Sequence, residues 1–203
     1  AWRRKAQHAD SRNDELGTEA ALRSADEALA TAKALELDPA ERVALRLEWA
    51  EALLEREDLA RARAMLPAPE ALTTVPQALL ATMLRAQLLR LEKKVPDSLR
   101  LVAGTLEGLE TPIGSEQQDY VGGRTWSALQ LAVELAGYLT AVGDPADAVA
   151  AWNRLRAAAP RDYETQKTAA MALSKGGAAD DALAAWRAAK SSNARLAGIE
   201  AAR

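Results

Sequence analysis

The chain has no cysteine, no phenylalanine and a single histidine, His8. Without cysteine there are no disulfides, thiolate metal ligands or cysteine nucleophiles. The compartment stays open, because such a chain folds equally well in cytoplasm and periplasm. One histidine without cysteine cannot assemble the usual zinc ligand sets, and His8, in a charged N-terminal stretch, reads as a surface residue. Strand-favouring residues are scarce: 2 Ile and 8 Val stand against 48 Ala and 30 Leu. That balance excludes an all-β fold and disfavours an α/β one. An excess of positive charge is also missing. Lys and Arg total 26 against 29 Asp and Glu, for a net charge of −3. This speaks against a nucleic-acid partner. The one basic cluster, Arg3-Arg4-Lys5, reads as a solvated helix start. No apolar run reaches the roughly 18 residues a membrane span needs, since the most apolar stretch, 129–142, is interrupted by Gln130 and Glu134. The chain opens on Ala1 without a basic–apolar–small leader pattern and reads as a fragment or a processed protein, with its localisation open.

Catalytic signatures are missing too. There is no phosphate-binding G-x-x-x-x-G-K-[ST] loop, and Gly122-Gly123 and Gly176-Gly177 have no preceding strand to make a phosphate cradle. There is no G-x-S-x-G elbow. Carboxylate pairs such as Glu51/Glu55 read as a wet helix face, not as an acid–base pair. Gly104 and Gly108, four apart, read as close helix packing. The one reactive cluster is Asp119, Tyr120 and Arg124. It lies in 111–124, a stretch with three Gly, one Pro and no periodicity that is expected to be the longest loop. No catalytic residue, metal or cofactor is assigned, and the chain is not expected to be an enzyme.

What is present is a helical pattern from end to end. With 203 residues, 49% of them hydrophobic and 27% charged, the chain suits a single folded domain over 1–203. Apolar spacing of three and four, punctuated by Pro and Gly, predicts helices from Thr18 to Leu37, Pro39 to Glu57, Asp58 to Leu66, Pro76 to Lys94 and Pro96 to Leu109. The first of the later pair carries Leu79, Leu80, Met83, Leu84, Leu88 and Leu91 on one face.

Beyond residue 128 the sequence repeats at 34 residues. Laid over Tyr163–Leu196 without gaps, Leu129–Asp162 matches at nine positions. Ala136 falls on Ala170, Leu139 on Leu173, Gly143 on Gly177, Ala148 on Ala182 and Trp152 on Trp186. Small residues let two helices approach closely. The Gly is expected to end the first helix in a left-handed cap, and the Trp to fill the space between one unit and the next as a core residue.

The segment Gly143–Asp162, with Gly143, Ala148, Trp152 and Pro160 at their spacing, resembles the second half of a tetratricopeptide repeat. The next unit supplies Gly177, Ala182 and Trp186, with Ala194 in place of the Pro. Ala34–Glu41 is similar to that family's unit boundary, and Glu55–Leu66 to its turn and second helix, with Ala62 in the small position and Trp49, Ala50 and Leu53 on the preceding helix. Ala132 and Gln166 stand where the family has a first-helix aromatic. In the irregular middle, 67–128, Ser98 is the best candidate for the small position. The clearest units are 34–66 and 129–196, and 194–203 is a candidate capping helix.

The resemblance implies an all-α fold, a right-handed superhelix of about four stacked antiparallel helical hairpins with a concave groove lined by first helices. On that groove it places Glu164, Lys167, Met171, Ser174 and Lys175; Gln130, Val133, Glu134, Gly137 and Thr140; and Ala44, Leu47, Glu48, Glu51 and Glu55. Such a groove suits an extended peptide or a partner helix. The implied function is a non-catalytic scaffold that binds a protein or peptide within a larger assembly, in bacteria if the Ala-, Leu- and Arg-rich composition is a guide to source. The carboxylate clamp of chaperone cofactors is not expected, since Asn occurs only at 13, 153 and 193. The alternative is a spacer or self-association module that stacks on itself or on further repeats.

Overall fold

A computed structural model describes Glu27, residues 38–109, 112–113, 118–121 and 124–201; for 119–121, 124 and 194–201 it describes the backbone alone. The basic N-terminus, His8 and the helix expected over Thr18–Leu37 fall outside the described residues, except for Glu27, which is helical.

The described chain is almost entirely helical: α1 (Pro39–Glu55), α2 (Leu59–Met65), α3 (Val75–Leu91), α4 (Val95–Glu107), α5 (Ala128–Val142), α6 (Pro145–Ala158), α7 (Tyr163–Lys175) and α8 (Ala179–Ala201). The starts follow from local chemistry. Asp38, Asp58, Thr74, Ser127, Asp144 and Asp162 each accept a hydrogen bond from an amide in the first turn of the helix that follows. Those amides have no partner within the helix, so each cap contributes about 1 kcal/mol. At α1 the cap is reciprocal, with Glu41 reaching back to the Asp38 amide.

The ends follow as well. At three turns the helix closes with a residue in the left-handed region: Glu57 (φ 59), Lys93 (φ 63) and Gly177 (φ 79). At each, the next amide reaches five residues back, from Asp58 to Leu53, Lys94 to Leu89 and Ala178 to Leu173. That is the doubled bonding of a Schellman ending, which turns the chain sharply into the next helix. The fourth turn differs from expectation. Gly143 is extended (φ −89, ψ −175), not left-handed. Its need is steric: a Cβ there would lie 2.7 Å from the Leu139 carbonyl oxygen.

Consecutive helices pair as α1/α2, α3/α4, α5/α6 and α7/α8. Neighbouring pairs pack through their first helices, α1 on α3, α3 on α5 and α5 on α7, and through α2 on α3, α4 on α5 and α6 on α7. The residue five after each turn residue is small and buried: Ala62, Ser98, Ala148 and Ala182. Ser98 thus stands at the small position of the irregular middle. Its hydroxyl donates to the Ala86 carbonyl (3.1 Å), and the Tyr138 phenol lies 2.6 Å away. Leucines from every pair fill one core, including Leu47, Leu80, Leu84, Leu131, Leu139 and Leu155. Each such side chain, fully buried, is worth about 2 kcal/mol.

Three expectations are corrected. The stretch 111–124 is not all loop: β1 (Gln118–Val121) pairs antiparallel with β2 (Arg124–Ser127), with Val121 opposite Arg124. Residues 194–201 are not a separate capping helix but the continuation of α8. α6 stops at Ala158, just before Pro160, whereas the equivalent position in α8 is Ala194, which lets the helix run on. Gly104 and Gly108 are exposed, and a Cβ on Gly104 would meet nothing within 4 Å, so their spacing marks no helix contact.

Candidate partner-binding face

The expected groove residues sit on α1, α5 and α7, three of the four first helices. On α7, Glu164, Met171, Ser174 and Lys175 are exposed and Lys167 is half-buried. Lys167 Nζ lies 3.5 Å from the Glu164 carboxylate and 5.5 Å from the centre of the Tyr163 ring. On α5, Gln130 and Glu134 are exposed one turn apart, with the Gln130 amide 3.5 Å from the Glu134 carboxylate. Val133 is half-buried against the core. Met171, at 51% exposure, is the most exposed large apolar side chain described. α5 packs against α7, so these two sets lie on neighbouring helices.

The α1 set is placed differently. Glu48 and Glu51 are half-buried and Leu47 is fully buried, so Leu47 belongs to the core. Thr140 also does more than face outward: it accepts the Trp152 indole N–H (2.8 Å) and donates to the Ala136 carbonyl (2.9 Å), tying α5 to α6. The side chains of Asp119, Tyr120 and Arg124 lie outside the described residues; their backbones belong to the two strands.

The helix between the two sets is α3. Thirteen residues before the turn residues Lys93, Gly143 and Gly177 stand Leu80, Gln130 and Glu164, and nine before stand Leu84, Glu134 and Thr168. Leu80 and Leu84 are buried where α5 has exposed polar residues. β1 packs on α1 and α3, and β2 on α5. Among the described residues the strand pair therefore lies as a strap over α1 and α3 and runs directly into α5, while Gln130, Glu134 and Met171 on α5 and α7 are exposed. Trp126 of β2 is buried in the core. Before the strap, buried Ile113 donates its amide to the Ala158 carbonyl at the end of α6 (3.1 Å). Sequence reasoning missed the strap although a signal was present. Gly122-Gly123 is flanked by Tyr120-Val121 and Thr125-Trp126, residues that favour strands beside a dipeptide that favours a tight hairpin.

On the other side, among the second helices, a cleft of about 190 Å³ is lined by Ala103, Leu106 and Glu107 of α4, Leu139 of α5, and Asp147, Ala150, Ala151 and Arg154 of α6. None of the expected groove residues lines it. Arg154 donates to the Leu109 carbonyl (2.9 Å), so this guanidinium fastens the chain as it leaves α4. Arg46 does the same at the end of α2, donating to the carbonyls of Met65 (3.0 Å) and Ala64 (3.2 Å). Arg85 donates to the Pro67 carbonyl, and burial holds its pKa below the ordinary arginine value against the opposing pull of Glu70. At the second turn the Glu92 carboxyl is held below its ordinary pKa by hydrogen bonds from Arg63 and then Lys94.

The sharpest departure from expectation is Trp186. The 34-residue repeat places it at the position of Trp152, and Trp152 is 2% exposed while Trp186 is 44% exposed. Four other matched pairs keep their burial: Ala136 with Ala170, Leu139 with Leu173, Ala148 with Ala182 and Ala151 with Ala185. Leu183, equivalent to half-buried Val149, is likewise 49% exposed. The reason is the neighbour: α7 packs on α6, and among the described residues no helix covers the same side of α8.

Among the described residues no group of three or more acidic or histidine side chains is placed to hold a metal ion, and no helix is long and apolar enough to cross a membrane. Comparison with models of protein families, with curated proteins and with solved structures finds no match.

Proposed function

We propose that this chain is a non-catalytic interaction scaffold, a right-handed solenoid of helical hairpins similar to tetratricopeptide repeats, acting within a larger assembly. Its first-helix face over α5 and α7 docks an extended peptide or a partner helix. The observation that carries this reading is the exposed set on α5 and α7. Met171 stands in solvent on α7 with Glu164, Ser174 and Lys175 exposed on the same helix, and Gln130 and Glu134 are exposed on α5, while β1 of the chain's own strap packs on α1 and α3. An unbranched, polarisable side chain framed by charges of both signs suits a segment that offers one apolar anchor and a mixed polar rim. The strap supports the reading in a second way, since it is itself a short extended segment lying against first helices.

The test is affinity capture from extracts of the source organism with the intact chain beside the double variant Lys167→Glu, Met171→Glu. A protein retained by the first and lost by the second supports the groove. Capture that is identical for both removes the α5–α7 face as the site. The exposed Trp186 favours a second reading, self-association, on a different surface.

A further inference from the structure

We infer that the outer face of α8 is a dimerisation surface, on which two copies of this chain pack α8 against α8 in antiparallel fashion. This goes beyond the peptide groove and does not depend on it, because none of the groove residues lies on α8.

The internal repeat supplies the control. In α6, the pair Val149 and Trp152 is packed against the core, with α7 laid over that helix. In α8 the same offsets hold Leu183 and Trp186, which stay about half in solvent although the residues on the inner side of the helix are as buried as their counterparts. The side chains are the same kind; the difference is that, among the described residues, no helix covers this side of α8. Two large apolar groups one turn apart on the exposed side of α8 form a seam that another helix would cover.

The charges on this face select the occupant. Asp180, Leu183, Arg187 and Lys190 recur at spacings of three and four, so they share one stripe, with Trp186 at its border; all five are exposed. The acidic residue lies toward the N-terminal end and the basic ones toward the middle. A parallel pairing sets Asp180 against Asp180 and Lys190 against Lys190, which is repulsive. An antiparallel pairing about a two-fold axis at the level of Ala185 sets Asp180 of each copy against Lys190 of the other. It places Leu183 under the aliphatic stem of Arg187 and Trp186 over exposed Ala184. The stripe is thus complementary to itself, which is the condition for an isologous two-fold interface. One helix pair buries little area, so the expected dimer is weak, with a dissociation constant on the order of micromolar to tens of micromolar.

The test is sedimentation of the full 203-residue chain and its variants over about 5 to 500 μM, a range that brackets such an affinity. The intact chain is expected to shift from monomer to dimer across it. Trp186→Glu is expected to stay monomeric with an unchanged helical circular dichroism spectrum, since the side chain is half exposed. Lys190→Asp is expected to weaken the dimer by about tenfold or more. The double variant Asp180→Lys, Lys190→Asp is expected to restore it, because the two-fold axis exchanges the partners. A monomer at every concentration overturns the proposal and assigns the face to a different protein or to another hairpin. A dimer that survives Trp186→Glu overturns it as well. A double variant no better than Lys190→Asp alone overturns the antiparallel register.

Discussion

Gln166 stands where the resembled family carries an aromatic, and it is buried at 1% exposure. A buried amide without partners would cost several kcal/mol. Here its NH2 group donates to the carbonyls of Arg156 and Ala159 (both 3.1 Å), and its oxygen accepts from the Arg156 guanidinium (3.2 Å). Arg156 also donates to the Asp181 carbonyl (3.2 Å), so the pair joins α6, α7 and α8 through hydrogen bonds where the family uses ring packing. Gln166→Leu keeps the volume but orphans these groups. It is expected to lower unfolding free energy by about 2–3 kcal/mol in urea titration, while the exposed Ser174→Ala changes it by less than about 0.5 kcal/mol. The sequence marks position 166 only as a departure from pattern, because which carbonyls a glutamine reaches is settled by packing. Trp186 teaches the same lesson from the other side. A residue type at a repeat position predicts core, but burial needs a neighbour, and no pattern within α8 announces whether one is there.

At the scale of the element, helix boundaries were legible because they rest on local chemistry: Asp before Pro at α1 and α6, and Gly at two turns. The two turns without Gly are informative. Glu57 and Lys93 hold the left-handed conformation that a side chain resists by about 1–2 kcal/mol. Glu57→Gly and Lys93→Gly are therefore each expected to raise stability by up to about 1 kcal/mol, and Gly177→Ala to lower it by a similar amount, by thermal or denaturant unfolding. A loss of stability in the first two would mean that their side chains make contacts worth more than the strain. The strands were not legible by the same route. A composition this poor in β-branched residues argues against sheet on average, yet four residues on each side of a Gly-Gly dipeptide suffice for one hairpin, and an average does not see it.

At the scale of the molecule, the sequence carried, among the described residues, four helix pairs and the small-residue ladder, including Ser98. The fifty-residue spacing from Ser98 to Ala148 shows that something is inserted, but not where it goes. The structure lays the described strands of that insertion on α1 and α3 and leads them directly into α5. This has a mechanical consequence. Hairpins packed one on the next behave as springs in series, so a pull on the chain ends opens whichever junction is weakest. The strap runs in parallel with the first two junctions and shares their load, anchored by buried Trp126. Among the described residues its main contacts are with α1, α3 and α5. Under tension in an optical trap, the α7/α8 hairpin is expected to peel away first, at the lowest force, and the three strapped pairs to yield later as one block. Trp126→Ala is expected to merge those events. The protein would then be compliant at one end and stiff at the other.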